Sequence, residues 1–174
     1  MSVTTIPTAG IADGAVDTAQ LADDAVTIAK ATGFGKVLQI QHSTLGTSKV
    51  LTSTGATASG LSVSITPTSS SNKILVMGNL AGCRIQANTY MSIWLYRQIN
   101  SGGYSNLRKF ENGFGYLQGE IETMSKSFYY QDTPNSTNQV DYQIYFSYNG
   151  SGASVAINVD SQEWSTITAM EILA

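Results

Sequence analysis

Residues 139–148 read QVDYQIYFSY, and the alternation in them decides the fold class. Val140, Tyr142, Ile144, Phe146 and Tyr148 fall at every second position, with mostly polar residues between them. Successive side chains of a β-strand point to opposite faces, so as a strand this stretch buries one face and wets the other. A helix would scatter the same five residues around its circumference. The alternation therefore predicts a half-buried strand.

Working outward, Asn149-Gly150-Ser151-Gly152 is turn chemistry, and Ser154 to Asp160 resumes the alternation with Val155, Ile157 and Val159 expected inward. These two strands are expected to pair as a hairpin. The same pattern predicts strands at Val37 to His42, Lys49 to Thr52, Leu61 to Thr66, Lys73 to Arg84, Tyr90 to Ile99, Asn106 to Glu111, Glu122 to Gln131 and Ser165 to Leu173. Met91 to Tyr96 carries large apolar groups on both faces, which implies one face in the core and the other against a neighbour. About ten short strands with closely spaced turn signals, and no convincing long helix, argue for an all-β domain. The expected architecture over residues 36–174 is an antiparallel β-sandwich, jelly-roll-like. Such a domain must protect its strand edges, and association into a closed oligomer is one way to do so.

Before residue 36 the pattern is different. Residues 11–20 and 21–30 are two decamers, IADGAVDTAQ and LADDAVTIAK, with Ala12/Ala22, Asp13/Asp23, Ala15/Ala25, Val16/Val26 and Ala19/Ala29 identical. Ile11, Val16, Leu21 and Val26 recur every five residues. That spacing rotates each by about 140° in a helix and flips the face in a strand, so neither element lines them up. Turns at Ala-Asp-Gly-Ala and Ala-Asp-Asp-Ala, each followed by a helical turn capped by Asp17 or Thr27, fit the local signals. A unit this small buries little alone, so its apolar residues need other chains or a docking surface. The alternative is a linker. Residues 31–35 then form a glycine-containing junction in which Phe34 is placed to plug the base of the following domain.

Composition removes several function classes. Charged residues make up 12% of the 174, against about 25% in ordinary soluble domains, and the net charge is −3. This provides no basic footprint for nucleic acid or an anionic membrane. No apolar run is long enough to span a bilayer, and residues 1–10 lack the cationic start and apolar run of a secretory signal. Cys83, the single cysteine, cannot form an intrachain disulfide and reads as a buried structural thiol.

Enzyme signatures are equally sparse. His42 is the single histidine, without a nearby second histidine or a cysteine to complete a zinc site. No G-x-S-x-G elbow is present, and Gly113 to Gly119 lacks the spacing of a phosphate loop. Glu120 and Glu122 share a face if extended, and Asp132, Asp141 and Glu163 are further acids, but nothing in the sequence sets a pair across a cleft. The reading is a protein that is not an enzyme and uses no metal or cofactor.

The decamers resemble the short repeats of bacteriophage fibre and tail-fibre-like proteins, in which ADGAV-type units precede a compact distal domain. Ile65 to Val76, containing SSNKILV, and Ser165 to Ile172 also resemble a phage fibre-tip module. The resemblance implies a homotrimer with its N-terminal segments wound together as a stalk or anchor and its C-terminal domains packed as a knob. It implies a protein made in the host cytoplasm and carried on the virion. Residues 1–30 would hold other virion proteins, with Ile11, Val16, Leu21, Val26 and Phe34 as the trimer and docking contacts. Long tail fibres carry a large N-terminal docking domain, whereas ten residues precede the repeat here. Either the repeat itself docks, or the chain is a head fibre or capsid decoration protein.

Binding is the activity the loops suit. An aromatic ring stacks on a pyranose face while amides and hydroxyls satisfy its hydroxyl groups. Residues 101–106 and 113–119 have that composition, so Tyr104, Phe114 and Tyr116, with Trp164 behind them, are the candidate contacts for a host-surface glycan.

Overall fold

The computed structural model describes residues 36–174, apart from residues 53, 117, 152, 153 and 161. Ile11, Val16, Leu21, Val26 and Phe34, the expected trimer and docking contacts, lie outside the described residues. Ten strands are present: β1 Val37–Leu45, β2 Lys49–Leu51, β3 Thr57–Ile65, β4 Lys73–Ile85, β5 Thr89–Ile99, β6 Ser105–Phe114, β7 Glu122–Asp132, β8 Val140–Gly150, β9 Val155–Ile157 and β10 Ser165–Ile172. Each coincides with an expected strand to within a few residues at its ends. No helix occurs among the described residues.

The strands form two antiparallel sheets. Sheet A has the order β1-β10-β4-β9-β2, with β7 pairing β4 on its other edge; sheet B has the order β3-β8-β5-β6. The pairs β1·β10, β3·β8, β4·β7 and β5·β6 nest inside one another and alternate between the sheets. A long hairpin folded over on itself gives this order, as in a jelly-roll-like sandwich.

The sheets share one core. Leu61, Val63 and Ile65 of β3, Met91, Ile93 and Leu95 of β5, and Tyr142, Ile144 and Phe146 of β8 face Ile74, Val76 and Leu80 of β4 and Ile167 and Ala169 of β10. The five alternating residues of β8 are all buried, as the opening stretch requires. Cys83 joins this core; burial, with Glu163 adding to it, pushes its thiol pKa up to about 12, so it stays protonated.

Polar clamps hold strands and layers together. Asp132 at the end of β7 accepts two 2.9 Å hydrogen bonds from Arg97 Nη1 of β5 and one of 2.7 Å from the buried Tyr142 hydroxyl of β8. Sheet A is thereby tied to sheet B through a carboxylate that also accepts from Thr133 N at 2.9 Å. Burial first, and Asp132 second, raise the Tyr142 phenol far above its ordinary value, so it remains a donor. Asn158, held at φ 50°, donates to Leu45 O (2.8 Å) and Thr47 O (3.1 Å) and accepts from Ser165 Oγ (2.6 Å). Asn tolerates this left-handed conformation better than most residues.

One expectation is overturned. β8 and β9 do not form a hairpin, because β8 lies in sheet B between β3 and β5 whereas β9 lies in sheet A against β2 and β4. The chain crosses between sheets after Gly150, whose φ of 118° and close approach to Asn88 O leave no room for a Cβ. Ser151 N then donates to Asn88 O and Gln86 N to Ser154 O, so the crossing segment is held by the β4–β5 connection instead of by β8. β9 ends at Ile157, where Asn158 turns the chain, and Val159 is only half-buried.

Candidate functional site

The sequence offers β5 two apolar faces, and the structure separates them. Met91, Ile93 and Leu95 enter the core, so Tyr90, Ser92, Trp94 and Tyr96 stand on the outer face of sheet B. Pairing with β8 brings Tyr145 opposite Trp94 and Gln143 opposite Tyr96. Tyr145 also stacks on its diagonal neighbour Tyr96, with centroids 3.9 Å apart and planes 22° from parallel. Tyr104, from the β5–β6 connection, folds over this pair with its ring 6.1 Å from Tyr145.

At the far end, Tyr116 lies 6.4 Å from Tyr90. Tyr90 to Tyr96 spans about 20 Å along the strand at about 3.4 Å per residue, which makes the outer face of sheet B an aromatic track. Lys109 of β6 sits 4.7 Å from the centre of the Trp94 ring and donates to Asn112 Oδ1 at 2.5 Å. Trp94 is thus partly covered, while Tyr104 and Tyr116 are 36% and 56% exposed.

Polar groups flank the rings. Gln143 lies beside Tyr96 on β8, Asn106 on β6, Gln98 two residues further along β5, and Asp141 opposite Gln98. Asp141 accepts from Gln139 Nε2 at 2.8 Å. Burial, then Asp141 and Tyr145, raise the Tyr104 phenol above its ordinary value of 10.0, so it donates rather than carries charge at neutral pH. Ser92, between Tyr90 and Trp94, is fully buried and its Oγ has no hydrogen-bond partner among the described residues.

The four expected ligand contacts do not converge. Tyr104 and Tyr116 lie toward opposite ends of the aromatic track. Phe114 is half-buried against the core with Lys126 Nζ 5.5 Å from its ring. Trp164 is 58% exposed but belongs to sheet A's end of the molecule, where its ring lies over Gly46, so it is not behind Tyr104. Loop composition singled out Tyr104 and Tyr116 but not Trp94, Tyr96 and Tyr145, which sit within strands. Their signal was the parity of β5 and β8, which sets all three opposite the core residues.

Three of the acids, Asp132, Asp141 and Glu163, are engaged locally. Asp132 serves the interlayer clamp, and Glu163 Oε2 accepts from Asp160 N at 3.0 Å. Among the described residues no group of three or more His, Cys, Asp or Glu is placed to hold a metal ion. His42 is an exposed strand residue with Nδ1 2.9 Å from Thr168 Oγ1. A cleft of about 470 Å³ opens elsewhere, on the flank between β6 and β7. Phe128, which lines it, is buried and stacks on Phe110 at 5.3 Å, and Lys126 bridges to Glu111 at 2.5 Å.

No protein-family model matches the chain, and no curated protein matches it. Among solved structures it is similar to that of the infectious bursal disease virus Gx strain, at 15% identity and a TM-score of 0.43 over 78% of this chain and 37% of that one. The T13 IBDV viral particle gives 12% identity, 0.43, 78% and 38%. A CBM4 structure gives 15% identity and a TM-score of 0.22, covering 76% of this chain and 92% of that one. The chain spans well under half the length of the viral chains it matches. At such scores the likeness says nothing about activity.

Proposed function

We propose that the chain is a bacteriophage virion structural protein, a homotrimeric fibre attached to the particle through residues 1–30, whose β-sandwich binds a host-surface glycan. The stalk and trimer readings rest on the decamers and on the SSNKILV and C-terminal stretches of the sequence. The observation that carries the binding reading is the aromatic track of sheet B, with Tyr104, Tyr145 and Tyr96 clustered beside Gln143, Asn106 and Gln98. Ring faces take the apolar faces of sugars, and the amides meet their hydroxyls. Asp141 beside Tyr104 repels anionic sugars, so the ligand class is a neutral or amino-bearing glycan. Three copies on one fibre convert weak single-site affinity into avid attachment.

Calorimetric titration of the full chain with purified host-surface polysaccharide tests this reading. Tyr104→Ala and Tyr145→Ala should each weaken binding about tenfold, equivalent to about 1.4 kcal/mol, while Trp164→Ala leaves it unchanged. Equal binding by all three variants, or none by the wild type, rejects the site. A wild-type protein that stays on the capsid and binds no host glycan supports the second reading, a head fibre or capsid decoration protein.

A further inference from the structure

The outer faces of the two sheets differ in how their apolar groups are satisfied. On sheet B, Trp94 and Tyr96 are covered by Lys109 and Tyr145 of the same chain. On sheet A they are not. The register sets Ile40, Met170, Leu75 and Gln131 side by side across β1, β10, β4 and β7, and His42, Thr168, Met77 and Tyr129 in the next row. All point away from the core, because Val76, Ile167 and Ala169 point into it. Ile40 is 56% exposed and Tyr129 78%, with Leu75, Met77 and Met170 half-buried between them.

The chemistry of this face selects its occupant. Among the described residues of the outward-facing rows from Lys73 to Asn79, Lys73 at one corner carries the one formal charge, Asp132 and Glu171 being buried on the inner side. Identical copies therefore meet without like-charge repulsion, and the threonines, Asn79, Ser127 and Gln131 supply a polar rim. Four strands about 4.8 Å apart and four rows about 6.8 Å apart give a projected area of about 520 Å². That lies somewhat below the roughly 600 Å² per partner at the low end of stable specific interfaces. A patch of this size is weak for a partner arriving from solution but sufficient for one already held nearby, where the effective concentration reaches about the millimolar range. Copies joined through their leading segments meet that condition, and Val37, where the chain enters the sandwich, is itself an exposed apolar member of the face.

We infer that the outer face of sheet A, centred on Ile40, Met170, Leu75, Met77 and Tyr129, is the surface through which copies of this chain pack against one another. The inference rests on the homotrimer reading and adds the surface that closes it. Copies packed on sheet A leave the aromatic track of sheet B free.

Two measurements on the full chain test it: sedimentation mass, and hydroxyl-radical labelling of Tyr129, Met77 and Met170 read by mass spectrometry. The wild type should sediment near three times 18.5 kDa, with labelling of all three residues several-fold lower than in Ile40→Asp. The Ile40→Asp variant should either dissociate or keep its mass while these residues become labelled. A wild-type mass of one chain overturns the homotrimer reading and this inference with it. A wild-type trimer whose Tyr129 labels as fully as a free tyrosine, or equally in wild type and Ile40→Asp, overturns the surface alone.

Discussion

Glu171 is fully buried, and its carboxylate collects hydrogen bonds from Gln39 Nε2, Thr68 N, Thr68 Oγ1 and Asn72 Nδ2 at 2.7 to 2.8 Å. Burial alone would raise its pKa, but the bonds from Asn72, Gln39 and Thr68 outweigh it and hold the group below its ordinary value of 4.5. Above that value the carboxyl is ionised in folded and unfolded chains alike, and its full contribution to stability is present. As pH falls through 4.5 the unfolded chain takes up the proton first, and the contribution is lost by the time the lower folded pKa is passed. Chemical denaturation at a series of pH values should show this acid-side decline in the wild type. Glu171→Gln should be less stable at pH 7 and show a shallower decline; an unchanged slope would mean that the carboxylate is not stabilised by its neighbours. Asn72 lies in the SSNKILV stretch and Glu171 in the C-terminal one, so two segments that stood out separately in the sequence meet at one carboxylate.

The central strand β4 shows why an element's sequence follows from its neighbours. Gly78 looks like a weakness in a strand, since glycine has no side chain to pack. Its partners explain it: a Cβ there would stand 2.1 Å from Thr166 O of β10 and 2.7 Å from the Phe128 ring of β7. Phe128 fills the space above Gly78 and stacks on Phe110, joining the open flank of sheet A to that of sheet B. Gly78→Ala should therefore destabilise the protein by about 2–3 kcal/mol through overpacking against backbone that cannot retreat. A thermal melt within a degree of wild type would show that β10 yields. The β8–β9 pair carries the opposite lesson: turn residues between two alternating stretches announced a change of direction, but not which sheet the second strand would join.

At the scale of the whole molecule, the nested topology pairs the first strand with the last, Val37 with Ile172. Little of the core can close until these distant segments meet, and folds dominated by such non-local pairing fold in about milliseconds to seconds. Stopped-flow fluorescence of Trp94 and Trp164 should show a concentration-independent refolding phase in that range. A microsecond phase carrying the full amplitude would mean that local contacts dominate. Nesting also leaves the molecule two broad outer faces of different character, one aromatic and internally stacked, the other aliphatic and open. Attachment and assembly are proposed for those two faces respectively.

Residue parity by itself determined the strands, their buried faces and the all-β class, because alternation is a local property that a single strand must satisfy wherever it lies. Parity also held the aromatic track, since Tyr90, Trp94, Tyr96 and Tyr145 all sit opposite core residues, although loop composition pointed to Phe114 and Trp164 instead. Tertiary structure alone decided which strands are neighbours. Pairing joins segments more than a hundred residues apart through backbone groups that every sequence shares, so nothing in β8 states that β9 will cross to the other sheet. For the same reason only the assembled register could set Ile40, Met170, Leu75 and Tyr129 on one surface.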